Sequence, residues 1–370
     1  VSTPHFYALK VADVRRETAD AVSIAFAVPA ELRELYRFTP GQFLTLRARL
    51  DGVDLRRSYS ICSSADEYEN SGELRVAVKR VDGGAFSNWA NDALASGNPI
   101  EVMTPDGRFF ARLDPAARRH YVAFAAGSGI TPVIAIIKTT LKREPKSRFT
   151  LFYGNRRIET ILFAEELEDL KDQYLDRFTL YHVLSREHQE VDLFNGRLDR
   201  ARVAAFLDTL VPAPTVDAAF VCGPENMIDD VAAALGAAGV AKERIHIERF
   251  VAPGEAQSTA PRRTASVSKA PAIDTGKSAE VEIIADGVRR TLRVPFDGAG
   301  ILDTALAAGA DLPYACKGGV CCTCRARVLE GEVRMDRNFT LEEAEMRQGY
   351  VLTCQSHPIS NRVVISYDER

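Results

Sequence analysis

The 370-residue chain contains no run of eighteen apolar residues, so a helix that crosses a membrane is not expected. Its opening, VSTPHFYALKVADV, lacks the basic start and apolar stretch of a secretory signal, and a cytoplasmic location is expected. Basic charge is not in excess: the formal net charge is −4, and no concentrated basic surface is visible, which argues against nucleic acid as the main partner. No internal repeat occurs. Cysteine is scarce at seven residues, yet four of the seven, Cys316, Cys321, Cys322 and Cys324, fall within nine positions in YACKGGVCCTCRARV. In a reducing compartment such clustered thiols serve as ligands or redox groups rather than as disulfide staples.

What is present is an average globular composition, 46% hydrophobic and 26% charged. The length exceeds one ordinary core, because domains run at about 150 residues each. Residues 252 to 278, rich in Ala, Pro, Ser, Thr and Gly with only Val267 and Ile273 as larger apolar groups, cannot bury enough surface to order themselves. A flexible linker is expected over 251–278, ahead of a tail at 279–370. Residues 1–112 alternate short apolar runs with turn signals, as in FLTLRARLDGVDLRRSYSICSS, the pattern of an antiparallel β-barrel. From 113 to 250 strands alternate with helices (YVAFAAG, TPVIAIIKTTLK, FTLFYGN, FAEELEDLKDQY, FTLYHVLS, AAFVCGP, NMIDDVAAALGAAG), which predicts a parallel sheet with helices on both faces.

Cys316, Cys321 and Cys324 are spaced Cys-x4-Cys-x2-Cys, and Cys354 follows in YVLTCQS. This is the plant-type arrangement for a [2Fe-2S] cluster. Gly318 and Gly319 can bring backbone N–H groups towards cluster sulfurs without steric cost. Cys322 falls outside the spacing and is not expected to be a ligand. Zinc would be better served by two separated Cys-x-x-Cys knuckles, and only Cys321 and Cys324 form one. The flanks read as a hairpin (EVEIIADGVRRTLRVP), a helix (ILDTALAAGA) and a closing strand (RVVISY), which match a β-grasp ferredoxin domain.

The barrel segment carries Arg57, Ser58, Tyr59 and Ser60, preceded by TPGQF and followed by GGAFSNW. A flavin needs an aromatic face, hydroxyls near its N5 and C4 carbonyl, and a cation with backbone donors for phosphate, and these groups are offered here. The turn AGSGITP (126–132) follows a strand and opens a helix, with glycines that let the backbone approach a pyrophosphate. Pro132 stands where a Rossmann dehydrogenase has its third glycine. In this order the motifs resemble the ferredoxin-NADP reductase superfamily over residues 5 to 250, with a C-terminal domain similar to plant-type ferredoxins.

The resemblance implies that Arg57 binds the flavin phosphate, Tyr59 stacks on the isoalloxazine, and Ser58 and Ser60 contribute hydroxyls, Ser60 near N5. Gly84 and Ser87 would lie at the phosphate, and Gly127, Gly129 and Thr131 at the pyridine nucleotide. Ser185 and Arg186 in VLSRE occupy the place where NADPH-dependent members bind the 2′-phosphate, with Arg197 assisting. Cys222, Gly223 and Pro224 of CGPENM resemble the segment under the nicotinamide, so that hydride transfer is expected near Ser60 and Cys222, with no side-chain acid or base. Phe250 falls where relatives place an aromatic near the flavin. Electrons from NADPH, delivered in pairs, would be passed singly by the flavin to the cluster held by Cys316, Cys321, Cys324 and Cys354. FAD rather than FMN follows from the closer family match, since RSYS occurs with both.

Within the superfamily the layout most closely resembles the reductases of phenylacetyl-CoA epoxidation, which serve a di-iron oxygenase. Reductases of steroid or aromatic-ring hydroxylases share it, and no residue here names the acceptor. A redox sensor without turnover is the remaining alternative, and it would not sustain electron flow from NADPH.

Overall fold

The computed structural model describes residues 5–250 and 278–369; the expected linker, except for Ser278, lies outside the described residues. The chain divides into two compact units, the larger built from Tyr7–Leu55 and Tyr59–Phe250 and the smaller centred on the C-terminal residues.

The larger unit begins with an antiparallel sheet. Its elements are β1 (Phe6–Thr18), β2 (Ala21–Ala27), β3 (Phe43–Leu50), β4 (Val53–Ser60), α1 (Ala65–Ser71), β5 (Glu73–Lys79), α2 (Ala85–Asp92) and β6 (Pro99–Met103). The strand order is β4-β3-β6-β1-β2-β5. Just past β4, a bridge between Ile61 and Val76 brings the two edges together, so the sheet closes on itself as a barrel. The β3–β4 hairpin turns on Asp51 and Gly52, with φ of 50° and 79°, the left-handed pair that a two-residue turn requires. Alternation sets the core: Val22, Ile24 and Phe26 of β2 face Leu74, Val76 and Val78 of β5, all buried. Helix α1 starts in a capping box, where Ser64 Oγ accepts from Glu67 N–H and the Glu67 carboxylate accepts from Ser64 N–H.

The chain then builds β7 (His120–Ala126), α3 (Ile130–Arg143), β8 (Arg148–Asn155), α4 (Ala164–Gln173), β9 (Phe178–Leu184), α5 (Arg200–Thr209), β10 (Ala218–Gly223), α6 (Glu225–Ala237) and β11 (Ile245–Arg249). All strands run parallel in the order β11-β10-β7-β8-β9. Successive β7 residues point to opposite faces. Tyr121, Ala123 and Ala125 pack with α3 and α4, whereas Val122 and Phe124 pack with α5 and α6. On the second face Phe152 stacks on Phe124 at 5.0 Å and on Phe206 at 4.4 Å. Each such buried phenylalanine contributes roughly 1.5–3 kcal/mol of burial. The order reverses between β7 and β10, and in an open α/β sheet the crevice at that switch point binds the ligand.

The barrel and the parallel sheet share one core, since Cys62, Ala77 and Phe109 pack into the α3 face. Charge joins them as well. Lys138, with its side chain only 10% exposed, bridges Glu67 of α1 and Glu166 of α4 at 3.0 and 2.7 Å. Arg143 pairs with Asp66 and Glu69, and Thr139 Oγ1 accepts from Ala65 N–H.

The smaller unit contains β12 (Ser278–Ala285), β13 (Val288–Pro295), α7 (Ile301–Ala307), β14 (Arg325–Glu330), β15 (Val333–Met335), α8 (Glu343–Arg347), β16 (Tyr350–Leu352), β17 (Ser356–Pro358) and β18 (Arg362–Ser366). Its main sheet runs β13-β12-β18-β14-β16, with β12 and β18 parallel at the centre. The β12–β13 hairpin turns on Asp286-Gly287, again at φ of 51° and 72°. Ile301, Leu302 and Ala305 of α7 close the core beneath Val281, Ile283 and Ile365.

Candidate functional site

Strand β4 carries Arg57, Ser58, Tyr59 and Ser60 in succession. The half-buried Tyr59 ring lies 5.7 Å from Phe86 of α2, which itself meets Trp89 edge-on, so the aromatic face is braced from behind. Arg57 donates to the Arg56 carbonyl at 2.7 Å. Ser60 is 3% exposed and its Oγ has no hydrogen-bond partner. Buried hydroxyls are nearly always paired, and an orphan of this kind fits a polar ligand atom such as a flavin edge.

Gly84 is the N-cap of α2, and a Cβ there would lie 2.7 Å from Ser87 Oγ and 3.0 Å from the Val81 carbonyl. The Ser87 hydroxyl is engaged inside the loop, accepting from Val81 N–H at 3.1 Å and donating to the Gly84 carbonyl at 3.3 Å. Ser87 therefore shapes the loop with its side chain, and the donors left for an anion are the first N–H groups of the helix.

The AGSGITP turn lies between β7 and α3. Gly127 takes φ of 53°, a left-handed conformation held by Tyr153, whose hydroxyl donates to the Gly127 carbonyl at 2.9 Å. Thr131 Oγ1 donates to the Ser128 carbonyl at 3.0 Å. Gly129 sits against the end of β10: a Cβ on it would be 2.1 Å from the Cys222 carbonyl oxygen. The switch-point crevice is thus walled by two turns in backbone contact, one carrying Gly127 and Gly129, the other Cys222, Gly223 and Pro224. Cys222 is fully buried, and burial pushes its thiol well above the usual range, so it is a neutral neighbour rather than a nucleophile. Phe250 lies just past β11 with 42% of its surface exposed.

At the C-terminal ends of β8 and β9 the backbone gathers cations. Ser185 N–H donates to the Asn155 carbonyl, Arg186 N–H to the Arg156 carbonyl, and Gly196 N–H to the Leu184 carbonyl, which brings Arg197 beside them. Sequence reasoning named Ser185, Arg186 and Arg197 but missed Arg156, which follows the second strand of the nucleotide fold where NADH-binding Rossmann proteins carry their acid. The adjacent Asn155 is buried with its Nδ2 unpaired. The signal was readable, because GNRR places two arginines directly after a strand.

The four spaced cysteines of the smaller unit meet as two pairs, Cys316 with Cys321 and Cys324 with Cys354, with Cys316 and Cys324 close enough to interact electrostatically. Among the described residues no three His, Cys, Asp or Glu side chains are arranged to hold a single metal ion. Two thiol pairs instead suit a two-metal group with two thiolates per metal. The Cys321 thiol, opposed by burial but aided by the N–H groups of Gly318, Val320 and Cys321, draws Cys316 down to about 6. Gly318 N–H reaches Cys316 Sγ at 3.2 Å. Lys317 takes φ of 51° and Gly319 φ of 80°, the folded loop that aims these donors at sulfur. Cys322, outside the pairs, lies 3.4 Å from Thr340 Oγ1. All seven cysteines are free thiols.

Family models match three segments: an oxidoreductase FAD-binding domain at residues 8–110, an oxidoreductase NAD-binding domain at 124–233 and a 2Fe-2S iron-sulfur cluster binding domain at 283–358. The chain is 45% identical to a subunit of the 1,2-phenylacetyl-CoA epoxidase of Escherichia coli K12, covering 99% of this chain and 98% of that one. It is 36% identical to the ferredoxin reductase component of 3-ketosteroid-9-alpha-monooxygenase from Rhodococcus rhodochrous, covering 97% and 96%. Its fold is similar to that of phthalate dioxygenase reductase, with a TM-score of 0.58, 22% identity and 98% coverage of both chains. Among the described residues no helix is long and apolar enough to cross a membrane.

Proposed function

Because the chain belongs to the family of oxygenase reductases that join FAD-, NAD- and [2Fe-2S]-binding domains, we propose that it carries electrons from NADPH to a di-iron oxygenase in the cytoplasm, with the phenylacetyl-CoA epoxidase as the acceptor complex. When bound, the nucleotide supplies electrons in pairs, FAD divides them and the cluster relays them singly. The residues of this chain provide placement. Tyr59 offers the stacking face, Ser60 an unpaired hydroxyl, and Arg57, Gly84 and the amides that open α2 the phosphate cradle. Gly127, Gly129 and Thr131 form the pyrophosphate turn, and Cys222, Gly223 and Pro224 the opposite wall. Arg186 and Arg197, joined by Arg156, supply positive charge for a 2′-phosphate and Ser185 a neutral hydroxyl beside them, which supports NADPH over NADH. Cys316, Cys321, Cys324 and Cys354 hold the irons.

The observation that carries the reading is the pairing of these four thiols in a chain that also holds a flavin strand and a nucleotide turn. The test is electron delivery by the purified holoprotein. NADPH should reduce ferricyanide through the flavin and cytochrome c through the cluster. Cys324→Ser should lose iron, keep flavin and ferricyanide activity, and lose most cytochrome c activity. A colourless, zinc-containing protein would sink the reading. Capture of the acceptor from native cells by a tagged chain should bring down a di-iron oxygenase; a different oxygenase would reassign the substrate but not the electron path.

A further inference from the structure

Two of the paired thiols have different surroundings. Cys316 is wrapped by its own loop, whose N–H groups at Gly318, Val320 and Cys321 all face its sulfur. Cys354, likewise partly buried, sits in the turn Thr353–Gln355 just past β16. Besides its partner Cys324, the side chain of the next residue reaches it. Gln355 Nε2 lies 3.7 Å from Cys354 Sγ, within range of a hydrogen bond to sulfur. The same nitrogen donates to the Lys317 carbonyl at 2.8 Å and approaches the Cys354 carbonyl at 3.1 Å.

These three acceptors fix which way the amide points. Both neighbouring oxygens are carbonyls, which only accept, so turning the amide over would set its own oxygen against them. The stem is also held. Gln355 Cγ lies 3.3 Å from where a Cβ on Gly319 would stand, so its methylene crosses the cysteine loop where a glycine leaves room. Gln355 thus ties two segments that the chain separates by more than thirty residues: the loop with the first three cysteines, and the strand end with the fourth.

We propose that Gln355 is a positioning residue of the iron-sulfur centre, clamping the Lys317 turn to Cys354 and donating a hydrogen bond to the Cys354 thiolate that favours the reduced state. The inference rests on the reading of the four cysteines as cluster ligands. Its physical basis is charge: reduction adds one electron to a centre whose thiolates are already anionic, and an N–H directed at sulfur stabilises the added charge. Removing that donor makes reduction harder.

The test is an EPR-monitored redox titration of the full-length holoprotein and of Gln355→Leu, which keeps the bulk of the stem but donates nothing. At a fixed poise the reduced-to-oxidised ratio should fall about tenfold, a shift of about 59 mV to more negative potential for a one-electron couple. Gln355→Glu, with a carboxylate in place of the donor, should shift in the same direction and further. An unchanged potential in a Gln355→Leu protein with full iron content would overturn the proposal. Should that variant fail to retain its cluster, the wild type decides: pulsed EPR of the reduced protein labelled with side-chain 15N-glutamine should show a nitrogen coupled to the centre, and no such coupling refutes the contact. If the wild type shows no [2Fe-2S] signal at all, the ligand assignment itself has failed, an outcome distinct from an unshifted potential.

Discussion

Replacing Gly129 by alanine isolates the contact between the two turns of the switch-point crevice. The residue has φ of −63° and ψ of −9°, an ordinary helical conformation, so alanine brings no backbone strain at its own position. Space is the whole problem. The new methyl would stand 2.1 Å from the Cys222 carbonyl oxygen, 2.6 Å from its carbon and 3.0 Å from Gly223 N, all of them backbone atoms with no rotamer to yield. Restoring ordinary contact requires the turns to part by about 1 Å, and a misplacement of that size at a reacting centre costs on the order of 10²-fold in rate. We therefore expect kcat/KM for NADPH to fall about a hundredfold, roughly 2.7 kcal/mol. Flavin content should stay intact, because the flavin strand is not touched. Stability should drop by about 1–3 kcal/mol, the usual range for an overpacked site. Gly236→Ala is the control, since nothing stands within 4 Å of its added Cβ. Stopped-flow reduction of the flavin measures the effect, and a Gly129→Ala protein within twofold of wild type would refute the crevice as the nucleotide site.

Other perturbations probe the frame around it. Lys138→Met leaves Glu67 and Glu166 facing each other; with both carboxylates partly exposed, we expect a loss of about 1–2 kcal/mol, seen as a fall of several degrees in Tm, whereas an unchanged Tm would mark the ion pairs as idle. His120 is buried between Thr215 and Thr150, and burial, then the charge of Arg148, lowers its pKa from the usual 6.5 to about 4. The unfolded chain therefore takes up a proton that the folded one refuses, so this contribution is fully present above pH 6.5 and falls away towards pH 4. Denaturation at pH 7.5 and pH 5 should show a stability difference that shrinks in His120→Gln, and an identical pH dependence would remove the argument. Ser60→Ala deletes a hydroxyl with no protein partner, so the flavin-free protein should be at least as stable as wild type while flavin reduction slows about tenfold or more; a loss of stability without a kinetic effect would make Ser60 structural.

The sequence disclosed most where local chemistry governs. Asp51-Gly52 and Asp286-Gly287 both form the left-handed hairpin turns that alternating flanks predict, and the expected helices over 131–142, 163–174 and 226–239 are found within one or two residues. The Cys-x4-Cys-x2-Cys spacing could be read because three of the four thiols share one loop. What stayed hidden depends on how loops curl and which segments meet. Val81 and Gly84 engage the Ser87 hydroxyl, which only the curl of the loop decides. Helix α1 was overlooked although Ser64 and Glu67 spell a capping box, because its seven residues are too few to show a period. Arg156 and Gln355 read as ordinary polar residues until the fold set Arg156 beside Arg186 and brought the Lys317 carbonyl to the Gln355 amide.

Helix α3 bears on how such reductases exchange parts. Its first turn lies at the nucleotide crevice, while Lys138, Thr139 and Arg143 in its later turns grip α1 through Glu67, Ala65, Asp66 and Glu69. A chimaera cut at the junction of barrel and parallel sheet would import this helix but leave behind the carboxylates that it holds. The heritable module is therefore wider than the chain boundary suggests: a transplanted nucleotide domain has to bring the segment SADEYEN with it, from the far side of the cut.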